Sequence, residues 1–146
     1  MGNSASTKDA ALNKGAKIVM SRGASSYIDQ KYNPKTPIGL NWACAGVCDA
    51  PQYYNWDPKT VISGLSDEHI LGPEAPLWSE TVRGSTEVDL LAWPRGASHA
   101  EIGWTPQAKR NVTDFTQRLG IVGTHWNVAG QNFYDTSLVK WNWELA

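Results

Sequence analysis

Two short segments each set an aromatic ring two residues ahead of a carboxylate: Tyr27-Ile28-Asp29 and Trp78-Ser79-Glu80. In an extended segment, residues i and i+2 point to the same side. Each segment would then present a flat ring face beside an oxygen acceptor. That combination suits a sugar, whose C–H face stacks on the ring while its hydroxyls donate to the carboxylate. Tyr27 and Trp78 also have a plainer reading as core side chains, because aromatic residues are usually well buried. Composition leans toward the first reading. The chain carries 8 Trp and 5 Tyr against 2 Phe, an excess of rings that combine an apolar face with a polar handle.

Other chemistries find less support. Cys44 and Cys48 are the two cysteines, and His69, His99 and His125 are scattered, so four zinc ligands at familiar spacing are missing and no metal is expected. The two cysteines could close a local disulfide across a Gly-containing loop or stay as reduced thiols. Lys plus Arg number 13 against 14 Asp plus Glu, a balance that argues against a basic stripe for nucleic acid. No apolar run approaches the ~20 residues of a membrane span, and no signal peptide is visible. Met1-Gly2-Asn3-Ser4-Ala5-Ser6 matches the myristoylation pattern but reads more simply as a polar start. Asn111-Val112-Thr113 is a glycosylation sequon, relevant only in a eukaryotic secretory pathway.

The elements that must position the ring and carboxylate pairs are short. At 146 residues with 41% hydrophobic residues, the chain can build one core. Residues 1–7 read as a loose segment and 8–146 as one unit. Lys8 to Lys14 has helix-forming composition and a solvated, charged face, and Gly15 follows as a stop. Lys17 to Ser21 reads as a buried strand. The stretch from Arg22 to Ala50 has no clear period, and loops of that length are usually functional. Trp56-Asp57-Pro58 turns into a short helix. Ile70 to Trp78 reads as a second strand that Pro73 and Pro76 cut short. Val88 to Ile102 has helical spacing, with Pro94 kinking or restarting it. Thr113 to Leu119 predicts a helix ended by Gly120. Strands alternating with helices imply an α/β fold with a parallel sheet, whose functional loops follow the C-terminal ends of the strands. Two strands are few for such a sheet and leave open edges.

Several ordered motifs together resemble the family 20 glycoside hydrolases, the β-N-acetylhexosaminidases, particularly the bacterial branch. They are Ile18-Val19-Met20-Ser21, Tyr27-Ile28-Asp29-Gln30-Lys31-Tyr32, Gly39-Leu40-Asn41-Trp42-Ala43, Tyr54-Asn55-Trp56-Asp57-Pro58, Leu71 to Thr81, Trp93-Pro94-Arg95-Gly96-Ala97 and Ala100 to Pro106. The match spans roughly residues 8 to 141. The resemblance implies the C-terminal part of a (β/α)8 barrel, its last two or so βα units, within a domain that typically needs ~250 residues. It implies removal of terminal N-acetylglucosamine or N-acetylgalactosamine from a glycan or chitooligosaccharide, without a cofactor. In that family the substrate's own acetamide oxygen attacks the anomeric carbon, a departure from the two-carboxylate scheme. By motif, Tyr27 would donate to that oxygen and stabilise the developing charge. Asp29 and Glu80 would accept from the 4- and 6-hydroxyls. Trp78 would wall the sugar pocket, and Trp42 would lie near the leaving group or next sugar.

Arg95 and Glu101 read as structural and Trp93 and Trp104 as packing residues, while Trp126, Trp141 and Trp143 have no assigned role. The family's general acid sits in an Asp-Glu pair within His-x-Gly-Gly-Asp-Glu. This chain has one Asp-Glu, Asp67-Glu68, without those glycines. The implied acid therefore belongs upstream, in the N-terminal remainder of the barrel. A non-catalytic carbohydrate-binding remnant is the alternative, and a myristoylated interaction protein rests on the first six residues alone.

Overall fold

The computed structural model describes residues 4–44 and 48–143, so Met1, Gly2 and Asn3 of the myristoylation pattern lie outside the described residues. The architecture is α/β. Strands β1 (Ile18–Met20) and β2 (Ile70–Pro73) pair in parallel, with Ile18 opposite Ile70, Val19 opposite Gly72 and Met20 opposite Pro73. Pro73 sits at the strand end, where its missing N–H costs least. The second strand is accordingly short and runs into an irregular loop, as its prolines lead one to expect. Both strands are edges. Val19 and Leu71 are 46% and 69% exposed.

Helix α1 (Ser4–Lys14) precedes β1. It starts inside the segment 1–7 expected to be loose, taking in residues 4–7. Seven residues from Lys8 to Lys14 make barely two turns, and helix formation favours extending beyond its costly nucleus. Gly15 ends it as anticipated, at φ +70°, which lets the Ala16 N–H reach back to the Ala10 carbonyl. Between the strands lie α2 (Gly23–Ser26), α3 (Ala50–Tyr54) and single 3₁₀ turns at Pro58–Thr60 and Asp67–His69. Asp49 and Asp57 cap α3 and the first of these turns through their side chains.

After β2 come α4 (Ser85–Ala92) and α5 (Arg95–Trp104), separated at Pro94, which follows a cis bond to Trp93 and restarts the helix. Helix α6 (Val112–Val128) opens on an Asn111 side-chain cap, so the sequon asparagine is already engaged with the Thr113 and Asp114 amides. Gly120 does not stop α6. A Cβ there would lie 2.2 Å from the Lys140 carbonyl oxygen, and one at Gly123 would lie 2.4 Å from the Trp141 ring. These glycines are in the helix to admit the C-terminal tail. Asn142 N–H donates to the Gly120 carbonyl, and Thr124 Oγ1 to the Asn142 carbonyl.

Three apolar clusters hold these elements. Ala50, Tyr54, Ile102, Phe115, Leu119 and Val139 join α3, α5, α6 and the tail. Ala11, Met20, Ile62 and Leu65 seat α1 on β1. Ile28, Cys48 and Tyr53 fill the space beneath the loop after β1. There Cys44 and Cys48 are joined in a disulfide, which decides between the two states the spacing left open.

Candidate functional site

The loops that leave the C-terminal ends of both strands are stitched together. Ile28 N–H donates to the Pro76 carbonyl at 2.9 Å, and Gly39 N–H to Thr81 Oγ1 at 2.9 Å. A parallel bridge links Gln30 and Leu40, with Lys31 N–H on the Leu40 carbonyl and Leu40 N–H on that of Asp29. These bonds bring three rings into one face. Tyr27 meets Trp42 edge-on at 5.7 Å between centroids and Trp78 at 6.1 Å. The Trp42 ring lies over Gly23, where an added Cβ would come within 3.3 Å of it. Trp42 and Trp78 remain 62% and 53% exposed, so the face is open to solvent on the ring side. An exposed cluster of large rings is a surface that can stack on or pack against a partner rather than part of this chain's own core.

The two carboxylates are within electrostatic reach of each other but differ in setting. Asp29 is 1% exposed, and one of its oxygens accepts from Gln30 Nε2 at 3.2 Å. Its other oxygen, Oδ2, is buried with no donor among the described residues. Burial pushes its carboxyl above the ordinary range. The Gln30 bond opposes that, the negative charge of Glu80 adds to it, and Arg95 opposes it. Glu80 is exposed. The period-2 expectation for Tyr27 and Asp29 is therefore only half met. Tyr27 is half-buried in the open face, whereas Asp29 is recessed below it: the Ile28 N–H closes on the Pro76 carbonyl, and the Asp29 carbonyl accepts from the Leu40 N–H. A buried acceptor without a donor costs free energy that a ligand hydroxyl could recover.

Asp67-Glu68 belongs to the opposite end of β2. It lies in the 3₁₀ turn before that strand, with Asp67 on Lys59 and Glu68 on Ser66. Among the described residues no group of three or more His, Cys, Asp or Glu could hold a metal ion. No helix there is long and apolar enough to cross a membrane. Trp93 packs on Trp126 at 5.2 Å, as a packing residue should. Trp104 does not: it is 88% exposed, because it ends α5 beyond the reach of the Ile102 cluster. Glu101 bonds Arg118 at 2.7 Å, a structural role. Tyr53 escaped the sequence reading. Its hydroxyl donates to the Tyr27 carbonyl at 2.6 Å, a contact that no spacing signals.

Comparison with known proteins places the chain in a family. The profile "Glycosyl hydrolase family 20, catalytic domain" matches residues 2–107. The chain belongs to glycosyl hydrolase family 20. It is 35% identical over 132 residues to a β-N-acetylhexosaminidase of Cellulomonas fimi, covering 90% of this chain and 26% of that protein. A chitooligosaccharidolytic β-N-acetylglucosaminidase of Ostrinia furnacalis is 35% identical over 97 residues, 66% of this chain and 16% of that one. The Streptomyces plicatus N-acetyl-β-hexosaminidase, solved in complex with Thio-NAglucal, superposes with a TM-score of 0.87 at 34% identity, covering 95% of this chain and 27% of that structure. The chain thus spans about a quarter of the length of the bacterial relatives.

Proposed function

We propose that this chain forms one wall of the sugar site of a β-N-acetylhexosaminidase, as the C-terminal part of a (β/α)8 barrel, its last two or so βα units. The substrate is a terminal N-acetylglucosamine or N-acetylgalactosamine on a glycan or chitooligosaccharide. Tyr27 donates its hydroxyl to the acetamide oxygen as that oxygen attacks the anomeric carbon, and so stabilises the oxazolinium-like intermediate. Asp29 and Glu80 accept from the 4- and 6-hydroxyls, Trp78 walls the pocket, and Trp42 stacks on the leaving group or next sugar. The general acid comes from the remainder of the catalytic domain. The observation that carries this reading is the open Tyr27–Trp42–Trp78 face beside the buried, donorless oxygen of Asp29. Loss of a hydroxyl from the ligand would leave that oxygen unpaired, which is how such a site discriminates.

The position of Asp67-Glu68 at the far end of β2 favours a second reading, sugar binding without catalysis by this chain. One experiment separates them. Turnover of a chromogenic N-acetylglucosaminide is measured with the chain alone and with the rest of a family 20 catalytic domain added. The first reading expects no turnover alone, turnover after addition, and its loss in Y27F. Binding of N-acetylglucosamine with no turnover in either case supports the second. Turnover by the chain alone overturns the assignment of the acid to the remainder of the domain.

A further inference from the structure

Residues 27–30 belong to no named strand, and their four carbonyls are held by three residues, Tyr53, Leu40 and Arg95. The Tyr27 carbonyl accepts from Tyr53 Oη and that of Asp29 from the Leu40 N–H. The carbonyls of Ile28 and Gln30 both accept from Arg95, at 2.7 Å from Nη2 and 2.6 Å from Nη1. The same guanidinium reaches the Cys48 carbonyl at 3.1 Å, and its Nε and Nη2 hold the Leu91 carbonyl at the end of α4. Arg95 has no solvent exposure, and among the described residues no carboxylate is bonded to it. Its plane lies over Tyr32, 3.8 Å from the ring centroid, and Tyr32 in turn donates to the Trp93 carbonyl.

A buried cation held by backbone carbonyls and tyrosine rings, with no ion pair among the described residues, is unusual. Desolvating it costs several kcal/mol, and an apolar side chain would fill the space without that cost. What a guanidinium supplies is a rigid planar fork of donors. From this geometry we infer that Arg95 is the positioning residue of the sugar site. It grips the backbone on both sides of Asp29, and through Cys48 it fixes the end of the disulfide loop that begins beyond Trp42. The fork does for residues 28–30 what a neighbouring strand would do, so the Asp29 carboxylate is recessed at one depth below the ring face. Tyr53 is the auxiliary clamp, at the carbonyl of Tyr27. The inference rests on the proposed sugar site for what is positioned, and on the hydrogen bonds alone for the positioning itself.

The test is residue-resolved amide exchange of the full chain, as wild type, R95K and Y53F, with a parallel titration of N-acetylglucosamine. Lysine keeps the charge and much of the length but not the fork. In R95K the amides of Ile28 and Leu40, which close on Pro76 and Asp29, should exchange at least tenfold faster, while amides of α6 stay within about twofold. A general stabilising role would speed all of them together. Y53F should speed Ile28 by about threefold and leave α6 unchanged. Uniform acceleration in R95K, or none, overturns the inference. If R95K does not fold, Y53F decides it: an unchanged Ile28 amide overturns the inference, and a selective increase supports it. Selective acceleration in a wild-type background that shows no sugar binding would leave the positioning intact and sink the sugar site instead.

Discussion

Two groups of aromatic rings divide the molecule. At the C-terminal ends of the strands, Tyr27, Trp42 and Trp78 form an open face. In a second group, Trp93, Trp126, Phe133 and Trp141 run as a chain of contacts with centroids 5.0 to 5.4 Å apart, and Trp143 stacks on Trp141 at 5.8 Å. The residue types are the same, and what differs is what stands beneath them. Under the first group lies a buried carboxylate with an idle oxygen, held by an arginine fork. Under the second lie two helix glycines that let a tail dock. The first group stays open over a polar, rigid support, and the second packs where its support is cut away to receive it.

The contrast breaks first at the glycines. In G123A the new methyl meets the Trp141 ring, and overpacking of this kind costs about 3 kcal/mol at the upper end. Denaturant unfolding should report that loss, with the sugar face unaffected in the folded fraction. A G123A protein as stable as the wild type would mean the tail is not docked on α6.

His99 lies edge-on to Tyr53 at 5.5 Å and Trp56 at 6.1 Å, buried, with both ring nitrogens unpartnered among the described residues. Burial, helped by the Arg95 charge, pushes it down to about 4. Its folded value lies below the unfolded one near 6.5, so the unfolded chain binds the extra proton in that window. Stability should therefore fall as pH drops from about 6.5 to about 4, by roughly 3 kcal/mol in total. Asp29 and Asp49, both raised chiefly by burial, act in the opposite sense. The His99 share is thus the difference between wild type and H99F. Parallel pH profiles for the two proteins would refute it.

Reduction of the Cys44–Cys48 disulfide is the next largest effect. It opens a short loop, worth about 2 kcal/mol in the chain-entropy account. Because that loop follows Trp42, reduction should also shift the emission of the site tryptophans. It should leave the tail cluster in place, judged by protection of the α6 amides. Loss of α6 protection on reduction would erase the distinction between the regions.

The grouping of the candidate site residues was legible in the sequence and much of their support was not. The ordered motifs placed Tyr27, Asp29, Trp42, Trp78 and Glu80 together, and the structure does bring them to one edge. Pattern also found the strands, the restart at Pro94 and the Gly15 stop. It misjudged Gly120, because a glycine near the end of a periodic run looks like a cap, and only the approach of Lys140 explains it. It gave Arg95 a structural role but not its partners, which lie 47 to 67 residues away at Cys48, Gln30 and Ile28. Trp104 was taken for packing because tryptophan usually packs, and its exposure depends on where α5 ends.

The most direct measurement is a titration of N-acetylglucosamine into the full chain, followed by indole fluorescence, in wild type, W78A and W141A. The account predicts a saturable change in the wild type that W78A weakens at least tenfold and W141A leaves within twofold. W141A should instead lose stability. No saturable change in the wild type, or one that survives W78A and is lost in W141A, would contradict the placement of the sugar on the Tyr27–Trp42–Trp78 face.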